Sequence, residues 1–262
     1  MDTRSTNFDL DADLTCADCC TYPELQMRFR TTWSENGEEV PLRSDTFYHD
    51  VNNNPFRFER LRFYWSAIQV QLLDGSALSM IDSIQLTIAE TPADTTTRVV
   101  VDDFMLGNIS STTAKAEVGT LYATGLATGF SGQLGVPDPA NKTVVGTLAS
   151  THPLGPQING MNLGTEVGYI FAKVEFFQDT IATDTLLRAI NIYGPEVLQP
   201  IAYTLLDPTT LVEGRSPVFE LDVDLGRLFN NIDVRSADTL GMKQQFVDNL
   251  TQIFQLTKLL NE

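Results

Sequence analysis

The chain has 262 residues, of which 42% are apolar, and its 34 acidic and 17 basic side chains give a formal charge of −17. That length suits one large β domain or two smaller ones, and folding could bury about three quarters of the unfolded surface. The acidic excess excludes nucleic-acid phosphates and anionic membrane surfaces as ordinary partners. No run approaches the roughly 20 apolar residues that a membrane span needs.

Residues 1–21 form a polar, acidic arm with little periodicity, expected to extend away from the core. Asp9, Asp11 and Asp13 stand at the first three ligand spacings of an EF-hand loop, but Leu14 occupies the glycine position and Cys20 the place of the bidentate glutamate. Cys16, Cys19 and Cys20 are the only cysteines. Three thiols without a nearby histidine do not complete a four-ligand zinc site. One disulfide with a thiol left for a partner chain, or three free thiols, both remain open. A lipid-anchored cysteine would need an apolar export segment before it, and the first twenty residues lack the basic start and apolar core of a signal peptide. Secretion removes such a signal, so this does not place the chain in the cytoplasm.

The ordered domain is expected to span 22–262. Leu25, Met27 and Phe29 alternate with Gln26, Arg28 and Arg30 as a first strand, and Asn36-Gly37 marks the following turn. The longest strand signal runs from Phe56 through Phe58, Leu61, Phe63, Trp65, Ile68 and Val70 to Leu72, ending at Asp74-Gly75. Its change of phase between Phe58 and Leu61 predicts a bulge or two consecutive strands. Arg57, Arg60 and Arg62 are expected to pair with neighbouring acids on a solvated sheet face, with an anion or carboxylate site as the alternative.

Further strands are predicted at 83–89, 98–104, 129–134, 169–176, 186–193, 202–206 and 219–223, with loops at 91–97 and 135–141. This spacing predicts an antiparallel β-sandwich. Within 160–176, Gly160, Gly164 and Gly168 suit a turn that feeds a half-buried strand. Tyr169, Phe171, Lys173 and Glu175 share one face of it, and Ile170, Ala172, Val174 and Phe176 the apolar other. From 237 to 260 the period becomes helical, giving a C-terminal amphipathic helix capped by Ser236 or Asp238. It is expected to cover an edge or open end of the sandwich, or to be offered to a partner.

Chemistry is sparse. His49 and His152 are the only histidines, and no nucleophile elbow, zincin, P-loop or dinucleotide fingerprint is present. The chain is therefore expected not to be an enzyme. Asp222, Asp224 and Asp233, with Asn230 and Asn231, are a candidate calcium cluster, for which strand-edge aspartates and a turn are the alternative. Asn108, Asn141 and Asn249 open glycosylation sequons that matter only on a glycosylating secretory route.

Three blocks carry a family resemblance. The first is Phe56-Arg-Phe-Glu-Arg-Leu-Arg-Phe-Tyr-Trp-Ser-Ala-Ile-Gln-Val with Leu73-Asp-Gly75. The second is Phe130-Ser-Gly-Gln-Leu-Gly-Val-Pro-Asp-Pro-Ala-Asn141. The third is Gly160-Met161 followed by Gly168-Tyr-Ile-Phe-Ala-Lys-Val-Glu175. With Asp248-Asn249 and Phe254, they make residues 22–256 resemble the MbnP-like copper-binding domain family. The resemblance implies a β-sandwich-like domain exported from a bacterial cell to the periplasm or cell surface, and a copper-holding role in the metal-binding members.

The sequence departs from that pattern where ligands are expected. Leu163 and Thr165 stand where relatives typically carry tryptophans, one of which can be oxidised to a copper ligand. Lys142 replaces a histidine after the second block, and Gly241-Met242-Lys243 replaces histidines near the C-terminal helix. A protonated lysine offers no lone pair, so no copper ligand carries over. His152, Met161 and Met242 are the remaining soft-donor candidates. The reading is a non-enzymatic exported binding or assembly protein of the bacterial envelope, with an envelope or surface protein partner. The alternatives are a copper-binding protein with a rearranged site and a calcium-dependent adhesion or carbohydrate-binding module.

Overall fold

The structure is a computed structural model that describes residues 2–7, 20–35, 38–91, 93–158, 160–178 and 187–262. The aspartates at 9, 11 and 13, Cys16, Cys19, the Asn36-Gly37 turn and Leu186 lie outside these. In chain order the strands are β1 (Glu24–Glu35), β2 (Glu38–Pro41), β3 (Tyr48–His49), β4 (Pro55–Leu72), β5 (Ala77–Ser79), β6 (Ser83–Thr91), β7 (Asp94–Val101) and β8 (Met105–Ile109). They continue with β9 (Thr113–Thr120), β10 (Gly125–Leu134), β11 (Ala172–Phe177), β12 (Leu187–Ile192), β13 (Gln199–Leu211), β14 (Pro217–Asp224) and β15 (Phe254–Asn261). Two helices, α1 (Leu225–Leu228) and α2 (Thr239–Leu250), lie between the last two strands.

Two sheets form the expected sandwich. The smaller has the order β15-β14-β1-β2, with β9 beside the N-terminal half of β1. The larger has the order β12-β11-β4-β10-β13, and β3, β5 and β8 also pair with β4. Pairing is antiparallel except between β1 and β14, which run parallel from Gln26 opposite Val218 to Thr32 opposite Asp224. A parallel neighbour needs a long crossover, and nearly the whole domain lies between these two strands.

The strand period decides what enters the seam between the sheets. Leu25, Met27 and Phe29 of β1 face Leu61, Phe63 and Trp65 of β4, all fully buried. Phe29 meets Phe63 at 5.6 Å and Trp65 at 5.9 Å between ring centroids, both edge-on, and Phe254 joins Trp65 at 4.9 Å. Towards one end, Trp33 stacks on Tyr48 at 3.8 Å and Phe56 lies 4.5 Å from Phe229. Edge-on and offset contacts suit the ring quadrupole and add to the burial of large apolar areas. The crowding fixes a glycine as well: a Cβ on Gly107 in β8 would overlap the Phe63 ring.

The structure corrects several boundaries. The predicted 91–97 loop is largely strand, since β7 begins at Asp94, and its run of threonines and valines favours extended backbone. The change of phase expected in β4 is, by contrast, found as a bulge within one strand from Pro55 to Leu72. Phe176 pairs with Phe58 and Glu175 with Arg60, which leaves Glu59 extra, and a second irregularity lies at Ala67, whose φ is 51°. At the C-terminus, the 237–260 helix ends at Leu250, and Phe254–Asn261 form β15 against β14. Ile253, Phe254, Thr257 and Leu260 keep helical spacing, whereas Phe254, Leu256 and Leu259 are what a bulged strand buries, and the open β14 edge decides, because only a strand satisfies its backbone groups. Asp238 caps α2, accepting from the Gly241 N–H at 2.9 Å. Finally, the described part of the arm folds back instead of extending. Ser5 is buried, Thr3 donates to Glu213 at 3.0 Å, and the Arg4 guanidinium lies 4.4 Å from the Tyr122 ring centroid.

Gly107→Ala is expected to destabilise the fold by about 1–3 kcal/mol through overpacking against Phe63. Denaturant unfolding would show this as a lower midpoint with an unchanged slope.

Candidate functional site

The second face of β4 builds the site. Arg62 and Tyr64 point away from the aromatic seam and are 3% and 0% exposed, because the 149–170 segment covers them. Arg62 Nη1 donates to the Ile158 carbonyl at 2.9 Å, Tyr64 Oη to Pro153 at 2.9 Å, and Tyr169 Oη to Leu154 at 2.6 Å. Burial pushes both tyrosine hydroxyls well above the usual phenol range, so they remain donors. Arg62 also donates to Glu175 at 3.1 Å, and Lys173 lies 3.6 Å from the same carboxylate.

Arg62 is therefore paired as expected, but under a cap and not on a solvated face. Arg57 lies over the Phe177 ring at 4.4 Å, and Arg60 stands opposite Glu175 across the ladder. The predicted half-buried strand at 169–176 is likewise covered on both faces. Val174 and Phe176 enter the core, while Lys173 and Glu175 belong to the buried charged layer.

The cap joins the second and third sequence blocks. Asn141 Oδ1 accepts the Tyr169 N–H at 2.8 Å, directly after Gly168 at a φ of +90°. A Cβ on Gly168 would overlap the Asn141 carboxamide, so both the backbone angle and the close approach require glycine there. The turn closes on itself, Leu163 N–H donating to Gly168 at 2.8 Å and Gly168 N–H to Gly164 at 2.7 Å. Beside it lies a cleft of about 340 Å³ lined by Val136, Asn141, Lys142, Thr165, Val167 and Phe171, together with Pro195 and Leu198. Lys142 and Thr165, two of the positions where the family resemblance expects ligands, thus meet in one cavity. Leu163 and Val167 are exposed on the turn.

These residues do not fit copper. Lys142 is 3.2 Å from Asp138. Lys243 donates to the Tyr193 carbonyl at 2.9 Å, with Glu196 at 3.7 Å. His152 Nε2 lies 3.0 and 3.2 Å from the Asp102 oxygens, and its Nδ1 accepts the Leu154 N–H at 3.0 Å. That arrangement puts the proton on Nε2 and commits the only lone pair. Met161 and Met242 are each 2% exposed in the hydrophobic core. Among the described residues, no three His, Cys, Asp or Glu side chains are grouped to hold a metal.

The calcium candidates are engaged separately. Asp222 receives two hydrogen bonds from Arg30, at 2.7 and 2.6 Å. Asp224 caps α1 and accepts from the Ser34 N–H and hydroxyl. Asp233 accepts the Arg235 N–H in a local turn. Cys20 is a half-buried free thiol.

Sequence reasoning passed over Asp102 and Asp103, which have no motif. Asp102 holds His152 at the edge of a cleft of about 440 Å³ that Glu24, Glu117, Phe104 and Pro153 also line. Asp103 turns inward and accepts the N–H of Ala67, the residue of positive φ in β4, at 3.1 Å.

Fold and cleft together define a class: a two-sheet β domain with a loop-built cap and cavity on the outer face of its larger sheet. The family model of MbnP matches residues 22–245, and the chain belongs to the MbnP family. Among solved structures, MbnP from Methylosinus trichosporium aligns with 12% identity over 82% of each chain, at a TM-score of 0.42. Comparison with curated proteins gives no match.

Burial, with the nearby Asp102 charge adding to it and the Ala67 N–H opposing, pushes the Asp103 carboxyl up to about 6 from 3.8. The folded state thus holds its proton more tightly than the unfolded chain, so this contribution to stability is complete below about pH 4 and is lost as pH rises through about 6. Asp103→Asn, which keeps the acceptor for Ala67, is expected to raise the melting temperature at pH 7.5 more than at pH 4. Equal shifts at the two pH values would show that Asp103 ionises normally.

Proposed function

We propose that this chain is a non-enzymatic binding or assembly protein of the bacterial cell envelope, using the MbnP scaffold to hold a polypeptide partner instead of a metal ion. One observation carries the reading. A cleft lies at two of the positions where the family resemblance expects ligands, and its lining is Lys142 paired with Asp138, the side chains of Asn141, Thr165 and Glu166, and otherwise apolar groups, with no imidazole, thiolate or thioether. An apolar-walled cleft with a few polar groups suits an organic or peptide ligand, whereas soft metal binding needs free imidazole, thiolate or thioether donors. The exposed Leu163 and Val167 add apolar area beside the opening, and the acidic surface favours a partner with basic groups. The family is extracytoplasmic, and among the described residues no helix is long and apolar enough to cross a membrane.

The native protein isolated from its own cells is expected to carry a stoichiometric protein partner, released by Val167→Arg at the cleft. A native monomer without any partner would overturn this reading.

Family membership supports a second reading, copper held through a rearranged site. After copper loading and desalting, elemental analysis is expected to find no more copper on the wild type than on a His152→Ala, Met161→Ala double variant. A stoichiometric ion that only the wild type retains would favour copper.

A further inference from the structure

Outside the cleft, one edge of the molecule is left open in an unusual way. The β6–β7 hairpin is a two-stranded sheet of its own. Its β6 side is partly closed: Ile88 bridges Thr143, and the Val144 N–H donates to the Thr87 carbonyl at 2.8 Å. Among the described residues nothing pairs with the other edge of β7, whose sequence is Asp94-Thr-Thr-Thr-Arg-Val-Val-Val101. Seven of its eight residues are exposed, and Val99 and Val101 are 69% and 45% exposed. Such an edge presents unpaired backbone N–H and C=O groups in a strand of high β-propensity. Soluble proteins usually blunt long edges with lysine, proline or a bulge. β7 has none of these among its paired residues 94–101, and its only basic side chain is Arg98.

We propose that β7 pairs with the β7 of a second copy of this chain, antiparallel about Thr96, joining two hairpins into one four-stranded sheet. The charges select this partner and register. With Thr96 on the two-fold axis, Asp94 of each chain lies directly opposite Arg98 of the other, and Thr95 opposite Thr97. Among the described residues Asp94 has no ion pair, while Arg98 sits 3.0 Å from Glu90. The new contact therefore places Arg98 between two carboxylates and gives Asp94 its first cation. Centring the pair on Arg98 would oppose two arginines, and centring it on Thr97 would leave both charges facing neutral residues. The hairpin is also the part of the chain where association meets little repulsion: Ser83–Val101 contains only Glu90, Asp94 and Arg98 as charged residues, in a protein of charge −17. Because a twofold contact repeats itself, each dimer gains the Asp94–Arg98 pair twice.

Sedimentation velocity across a concentration series tests this on the full chain. The wild type is expected to show a monomer–dimer equilibrium that tightens with added salt, since screening relieves the repulsion between two acidic bodies. Asp94→Arg places arginines opposite each other and Arg98→Asp places aspartates opposite each other, so each single change should weaken the dimer roughly five- to tenfold. The double swap Asp94→Arg, Arg98→Asp should return dimerisation to near the wild-type value, although it leaves the Arg98–Glu90 contact broken. Melting temperatures of the variants, at exposed positions, should match the wild type. A wild type that stays monomeric at all concentrations would overturn the proposal. So would a dimer unmoved by the single changes, or one that the double swap does not restore.

Discussion

Arg62 and Tyr64 of β4 each donate a hydrogen bond to a carbonyl of the 153–158 segment, and these two bonds hold the cap onto the large sheet, while Tyr169 donates to Leu154 within the cap. They exist because β4 is buried on both faces with different chemistry on each. Leu61, Phe63 and Trp65 fill the aromatic seam on one side, and Arg62 and Tyr64 meet loop backbone on the other. A loop laid over a sheet brings backbone carbonyls out of water, and buried carbonyls need donors. The arginine in turn needs Glu175, since losing one partner of a buried pair costs about 3–5 kcal/mol. The apolar core, the charged layer and the cap are thus coupled through a single strand.

The cleft follows from that coupling. With the 149–170 segment pinned, its turn falls against Asn141, and the Asn141–Tyr169 bond brings Lys142 and Thr165 to the same cavity. The cleft therefore gathers these positions without supplying a metal donor set among the described residues. His152 illustrates the difference. It has the right chemistry for a metal, but its two nitrogens hold Asp102 and the Leu154 N–H in place, so it fastens the cap. Asp222, Asp224 and Asp233 likewise each complete a local contact and do not converge on one point.

Much of the fold was legible in the sequence because strand period reports burial directly. Leu25, Met27 and Phe29, and Leu61, Phe63 and Trp65, alternate as a sandwich core requires, and they occupy that core. Where two periods fit the same residues, local pattern misled. Phe254, Thr257 and Leu260 read as helix, and the open edge of β14 made Phe254–Asn261 a strand. The threonines before Arg98 read as loop, and their β-branched side chains joined β7. Of the site, Asn141, Gly168 and the replaced ligand positions were visible as motifs. Asp102 and Asp103 were not, since a lone acidic residue has no signature until folding supplies its neighbours.

By itself, then, the sequence determined the β class and the two-faced character of β4, which depend on residue type and spacing alone, and, through the family resemblance, it showed Lys142, Leu163 and Thr165 where that resemblance expects copper ligands or their precursors. Only the tertiary structure decided that Arg62 is buried under a cap, that His152 has no lone pair to give, and that Lys142 and Thr165 share a cleft. Those facts depend on which distant segments meet. The parallel pairing of β1 with β14 and the closing of the cap over β4 bring together residues that no local period relates.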